Sequence, residues 1–338
     1  MLARGPVLEA LRSAIDADPT TLLRRAQQAL DLGLAAQTEP ILVAAIQRHP
    51  QDPRLWQFLG LARRDLQDSA GAHEAFTRAA RLAPSDPLVA HSQARTALEA
   101  GFPAVPLFNR ARQLAPGDGS VAIGRAAALY AQGEGPLACD QLARLLDHNP
   151  GWVDGHIAFA RFTAQSRPGE PIDATLRAAL TQYPQAGALW QALIQTWMSA
   201  RDYHQALAAV AQARAALGSD PELDRIEAAC LSELGEPETA QRLFDRLPVP
   251  SDGENACWWI RNAIRLGQID RAVSLAESSY GGRGELALWP YRAILWRLCG
   301  DPRWEWLEGQ PDMIRTFDIR SEIGSIEELA DLLRALHT

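Results

Sequence analysis

The stretch 52-DPRLWQFLGLARRDLQDSAGAHEAFTRAARLAP-84 reads as two amphipathic helices folded against each other. Asp52 supplies an N-cap and Pro53 lies in the first turn, where its missing N–H leaves nothing unsatisfied. Trp56, Leu59, Gly60 and Arg63 recur at i, i+3, i+4 and i+7, the spacing of one helical face. Gln67-Asp68-Ser69 makes a polar break, a second helix carries Ala72, Phe76 and Ala79, and Pro84 ends it. Large side chains (Trp56, Leu59, Phe76) alternate with small ones (Gly60, Ala72, Ala79), so the two helices can approach closely and interlock.

This order, W-x2-L-G, then A-x3-F-x2-A, then proline within about 34 residues, resembles the tetratricopeptide repeat. Only the tyrosine position departs, at Arg63. The resemblance implies an all-α, right-handed α-solenoid, because one such unit cannot bury its apolar face alone. With Pro84 as the closing proline, unit starts fall at 19, 53, 87, 119, 153, 187, 221 and 253, about eight helix pairs over 19–286. Pro50, Pro84, Pro116, Pro150 and Pro184 close second helices in this phase, and Gly33, Gly101, Gly133, Gly235 and Gly267 stand at the mid-unit turn. Residues 1–18 are expected to form an N-terminal capping helix. Residues 287–338 are expected to form degenerate terminal helices and a tryptophan-rich cap, with an irregular MIRTFDI piece and a last helix capped by Ser325.

Composition agrees with helix: Ala, Leu and Arg dominate, while strand-favouring Val, Thr, Tyr and Phe are sparse. A formal charge of −8 argues against nucleic acid or anionic membrane as partners. Cys139, Cys230, Cys257 and Cys299 show no CxxC spacing and read as buried or idle thiols of a reducing compartment. The N-terminus lacks the apolar core of a signal peptide, and no apolar run approaches a membrane span, so a cytoplasmic location is expected.

No catalytic constellation emerges. The seven histidines (His49, His73, His91, His148, His156, His204, His337) are scattered, without HxD, HxE or HExxH spacing, so no metal site and no cofactor of the chain's own is expected. P-loop, dinucleotide and GxSxG signatures are missing, and Gly281-Gly282-Arg283-Gly284 reads as a linker between units. What remains is a concave face lined by the first helices. Counting each unit's first residue as position 1, positions 5 and 9 should face it. Gln57, Leu61, Arg64, His91, Arg95, Arg161, Gln191, Gln195, Arg225 and Arg261 are therefore the candidate peptide-binding residues. Arginine can hold a carboxylate bidentately, and glutamine can pair with peptide backbone.

A second resemblance covers about 50 C-terminal residues. Trp296-Arg297-Leu298, Gly300-Asp301-Pro302, Trp304, Trp306-Leu307, Phe317-Asp318 and the helix at 332–337 are similar to bacterial proteins in which tetratricopeptide repeats precede a 2-oxoglutarate/iron(II)-dependent oxygenase domain. That resemblance implies that Trp296, Trp304 and Trp306 seat a following domain, whose His-x-Asp/Glu iron ligands are absent from this chain. Two functions are thus expected in alternative: a non-catalytic peptide-binding scaffold, or the substrate-recruiting part of such an oxygenase.

The phase itself is testable. Gly60 at position 8 is matched by Ala26, Ala94, Ala126, Ala160, Ile194, Ala228 and Ile260. Replacing Ala126 or Ala160 by leucine should overpack the helix contact and cost ~1–3 kcal/mol in urea unfolding. Wild-type stability in both variants would place those alanines elsewhere.

Overall fold

The computed structural model describes residues 4–15, 18–250, 253–278 and 285–336. The Gly281–Gly284 linker and His337 lie outside the described residues. Among those residues there is no strand, and the chain divides into two compact units, 1–217 and 218–338.

In the first unit, α1 (Arg4–Ser13) is followed by six helix pairs. These are α2 (Pro19–Asp31) with α3 (Ala35–Arg48), α4 (Pro53–Asp65) with α5 (Ser69–Leu82), and α6 (Pro87–Glu99) with α7 (Val105–Leu114). They continue as α8 (Gly119–Ala131) with α9 (Gly135–His148), α10 (Val153–Ser166) with α11 (Ala174–Gln182), and α12 (Gly187–Ser199) with α13 (Tyr203–Leu217). The second unit holds α14 (Pro221–Glu233) with α15 (Pro237–Phe244), then α16 (Gly253–Arg265) with α17 (Ile269–Ser278). It ends with α18 (Glu285–Cys299), the short α19 (Arg303–Leu307), irregular chain and α20 (Ile326–Leu336).

Local chemistry sets each boundary. Asp18, Asp52, Asp86, Asp118 and Asp220 accept hydrogen bonds from backbone N–H groups of the first turn they precede, and proline follows four of them at N1. Second helices stop before proline: His49, Ala83, Ala115, Asn149 and Tyr183 all leave helical geometry, with φ between −126° and −135°. Proline Cδ crowds the residue before it out of the α region.

First helices stop differently. Gly33, Gly101, Gly133, Gly235, Gly267 and Gly300 follow them with positive φ, a conformation glycine adopts without a Cβ clash. Gln67 and Arg201 occupy the same place with φ of 63° and 57°. The turn imposes this conformation whatever residue the chain supplies. α10 is the exception. Pro168 follows Arg167, which takes φ −137°, and the turn opens into a longer connection before a second helix of only nine residues. Arg167 closes that connection through Asp140 at 2.5 Å and the Pro136 carbonyl at 2.8 Å.

The core is built from small residues against large ones. A Cβ on Gly60 would lie 2.5 Å from the Phe76 ring, and the alanines and isoleucines at the equivalent position are all buried. Phe76, Phe108, Leu142, Leu176 and Leu193 fill the spaces between helices in the first unit, each worth about 1.5–3 kcal/mol of burial. In the second unit Arg292 is wholly buried, with Nε and Nη2 donating to the Ala276 carbonyl in the last turn of α17. Cys139, Cys230 and Cys257 are buried, and burial pushes the Cys230 thiol up to about 12, with Glu233 and Glu227 adding to the shift.

Left-handed geometry at a residue with a Cβ stores strain. Gln67→Gly should therefore raise stability by about 0.5–1 kcal/mol in urea unfolding, although glycine enlarges the unfolded ensemble. A destabilised Gln67→Gly protein would contradict the turn geometry.

Candidate functional site

Within the first unit, four of the candidate residues line two cavities. Arg64 and Arg95 line the larger, about 740 Å³, together with Gly33, Asp65, Gln67 and Glu99. Glu99 serves both guanidinium groups, at 2.8 Å from Arg95 Nε and 3.7 Å from Arg64 Nε. The charge of this pair is thus already partly answered, although the ion pairs are accessible to water and weak.

Arg161 and Gln195 line a second cavity of about 290 Å³ between α10 and α12, bordered by Ile157, Ala164, Ile172 and Ala200. Arg161 has no acidic partner among the described residues; its guanidinium lies 4.9 Å from the centroid of the Phe162 ring. Gln195 donates from Nε2 to Ser199 Oγ at 3.3 Å. Ile157 is 41% exposed, so an apolar floor adjoins the unpaired arginine. Ile172 comes from the connection that Pro168 opens, so the departure of this helix pair from its neighbours builds one wall.

The remaining candidates of this unit lie apart from both cavities. Gln57 Nε2 reaches Asp86 Oδ2 at 3.4 Å, Leu61 is half-buried, and Gln191 is exposed. His91 is half-buried 6.1 Å from the Phe108 ring, and burial holds its pKa below the ordinary imidazole value, against the pull of Asp118.

In the second unit, Arg225 and Arg261 are committed to internal bonds. Arg225 binds Glu222 and donates to Asn255 Oδ1 at 2.7 Å. Arg261 bonds Glu233 at 2.5 Å and Tyr291, and stacks 4.9 Å from the Trp258 centroid. Arg265 completes the clamp on Glu233 at 2.6 Å. Neither arginine presents a free fork, which the spacing of isolated residues could not reveal.

The tryptophans named as a seat divide by depth. Trp296 is buried, edge-on to Trp289 at 6.0 Å and covered by Arg303 at 4.8 Å. Trp304 is half-buried beneath Arg297, whereas Trp306 is 66% exposed. Beyond it Met313, Ile314 and Phe317 stand in solvent, and α20 has no buried residue. Among the described residues no group of histidine, cysteine and acidic side chains is arranged to hold a metal ion. No helix there is long and apolar enough to cross a membrane.

No protein-family model matches the sequence, and no curated protein matches it either. Solved structures do. Yeast Tom70 superposes with a TM-score of 0.51 at 14% identity, over 87% of this chain and 64% of that one. A tetratricopeptide repeat protein from Parabacteroides merdae gives 0.44 at 13% identity, over 78% and 99%. YrrB, a TPR protein, gives 0.41 at 16% identity, over 56% and 98%. The chain is all-α and has the tetratricopeptide-type solenoid fold.

Glu233 carries a pH signature. Burial would raise its pKa, but hydrogen bonds from Arg265 and Arg261 outweigh that and hold it below the ordinary glutamate range. A carboxylate lowered in the folded state adds stability above its unfolded pKa, and this is lost as pH falls through the folded value. Glu233→Gln should therefore lose less stability than wild type between pH ~7 and pH ~3 in urea titrations. Equal pH dependence in the two proteins would contradict the clamp.

Proposed function

We propose that the chain is a non-catalytic scaffold that holds a protein or peptide segment along its first helices. The observation that carries this reading is the cavity between α10 and α12, where an arginine without an acidic partner stands beside an exposed apolar floor and an amide side chain. Arg161 would take a carboxylate in bidentate fashion, Gln195 a backbone group, and Ile157 an apolar side chain of the ligand. Arg64 and Arg95 contribute less, since Glu99 competes for both. Arg225 and Arg261 serve the second unit's own packing.

A second reading is favoured by one observation. The apolar residues after Trp306 are exposed, with Ile314 at 88% and every residue of α20 at least partly exposed, as expected of a seat for further protein. On that reading the repeats recruit substrate for a 2-oxoglutarate/iron(II)-dependent oxygenase domain. A coding sequence running past Thr338 into strands with an HxD motif would favour it, and an immediate stop codon would oppose it.

Peptides selected from a random library on the intact protein provide the test of the first reading. Arg161→Ala should weaken calorimetric affinity about tenfold and flatten its salt dependence, with Arg95→Ala changing it about twofold or less. Unchanged affinity and unchanged salt dependence in Arg161→Ala would overturn the assignment.

A further inference from the structure

The helix pair α8 and α9 departs from α4, α10 and α12 at position 4 of its first helix. At position 4, Trp56, His156 and Trp190 each donate a ring N–H to the carbonyl of the preceding closing proline, at 2.9–3.0 Å. At Pro84 the equivalent residue is Ala90, and Arg110 Nη2 reaches in to replace the missing donor at 2.8 Å. At Pro116 the equivalent residue is Ala122, and no side chain among the described residues donates to that carbonyl. Position 7 of this unit is Arg125, where α10 and α12 carry Phe159 and Leu193.

At α8 an open cavity of about 490 Å³ lies where α4, α10 and α12 carry a ring. Arg112, Arg125, Arg144 and His148 line it, with Asp118 the one acid in its wall. Asp118 is already engaged, accepting from the backbone N–H groups of Ser120 at 2.8 Å and Val121 at 3.3 Å. Arg112 and Arg144 have no acidic partner among the described residues, and Arg125 bonds only the neutral Asn109, at 2.6 Å. Burial and the charge of Arg112 make protonated Arg125 less favourable, the mark of positive charge left unanswered. This stands on a protein whose formal charge is −8.

A second cavity of about 320 Å³ adjoins the first, sharing Pro116, Asp118, Ala122 and Leu145 with it. Its wall is the Trp152 ring, which packs so closely over Gly119 and Gly155 that a Cβ on either would lie within 2.9 Å of it. Leu145 is exposed at the boundary. A basic chamber thus opens onto one walled by Trp152 and Leu145, with Asp118, already held by backbone N–H groups, at the boundary.

We propose that these joined cavities bind an acidic peptide segment, its side-chain oxyanions on Arg112, Arg125 and Arg144 and one apolar side chain against Leu145 and Trp152. Guanidinium groups suit carboxylate and phosphoryl oxygens alike. The joined volumes and the apolar wall require a ligand longer than a bare anion, and a basic patch this local on an acidic protein gives little purchase to nucleic acid. The site is separate from the Arg161 cavity.

The test uses the intact protein and a fluorescein-labelled heptapeptide of glutamates and aspartates around a central leucine, beside a version with phosphoserine in place of one glutamate. Inorganic phosphate serves as competitor. Fluorescence anisotropy should show saturable binding of at least one peptide, weakening with salt. Arg112→Ser/Arg144→Ser, at exposed positions, should weaken it about tenfold or more. Ala122→Trp supplies the ring that α4 and α12 carry and fills the chamber, so it should weaken binding similarly while melting no lower than wild type. Arg161→Ala should leave this binding unchanged, which separates the result from the fate of the first-helix reading. Whichever peptide binds tighter identifies the oxyanion source. Absence of binding by either peptide at about 1 mM would overturn the proposal. So would affinities of both cavity variants within about twofold of wild type, or phosphate binding without any peptide preference.

Discussion

The contact on which everything else rests is a small residue, glycine or alanine on most first helices, meeting a large one on its partner. Gly60 against Phe76 shows it plainly, with no room for a Cβ. Ala94, Ala126, Ala160 and Ala228 occupy the same place and are buried. Dispersion and burial fall away steeply with separation, so the small residue sets the distance at which the larger neighbours interlock. Caps and turns then only have to deliver each helix in register. Aspartate N-caps, prolines after second helices and left-handed residues after first helices do that, each through a few local bonds.

A scaffold assembled this way acquires cavities where a unit departs from its neighbours. Pro168 forbids the usual turn after α10, lengthens the connection, and brings Ile172 to the cavity holding Arg161 and Gln195. Ala122 and Arg125 remove a ring and add a charge in α8, leaving the basic chamber.

Much of the fold was legible in the sequence. Helix periodicity, the alternation of large and small residues and the closing prolines follow from local geometry, and the all-α repeat reading holds. The strained turns at Gln67 and Arg201 were not legible, because the conformation there is set by the turn and not by the residue. Nor was the effect of Pro168, whose influence acts on Arg167, the residue before it. The site was the harder part. Position numbers can say that Arg95, Arg161 and Arg261 stand at equivalent places, but not that Glu99 answers the first, that Glu233 and Tyr291 bind the third, and that only Arg161 is left without an acid. Partners contributed from 28 to 30 residues away, as for Arg261, leave no trace in local spacing. The buried Arg292 is a similar case, since besides Glu285 it donates to a backbone carbonyl of the preceding helix.

The central claim is that packing residues and binding residues are separable, with function confined to the faces that packing leaves open. Hydrogen exchange on the intact protein, with and without a library-selected peptide, addresses it most directly. The account predicts slowed exchange confined to 153–166 and 187–199, the two helices that hold Ile157, Arg161 and Gln195, with 308–336 exchanging rapidly in both states. Protection confined to the second helices, or spread evenly over the chain, would contradict it.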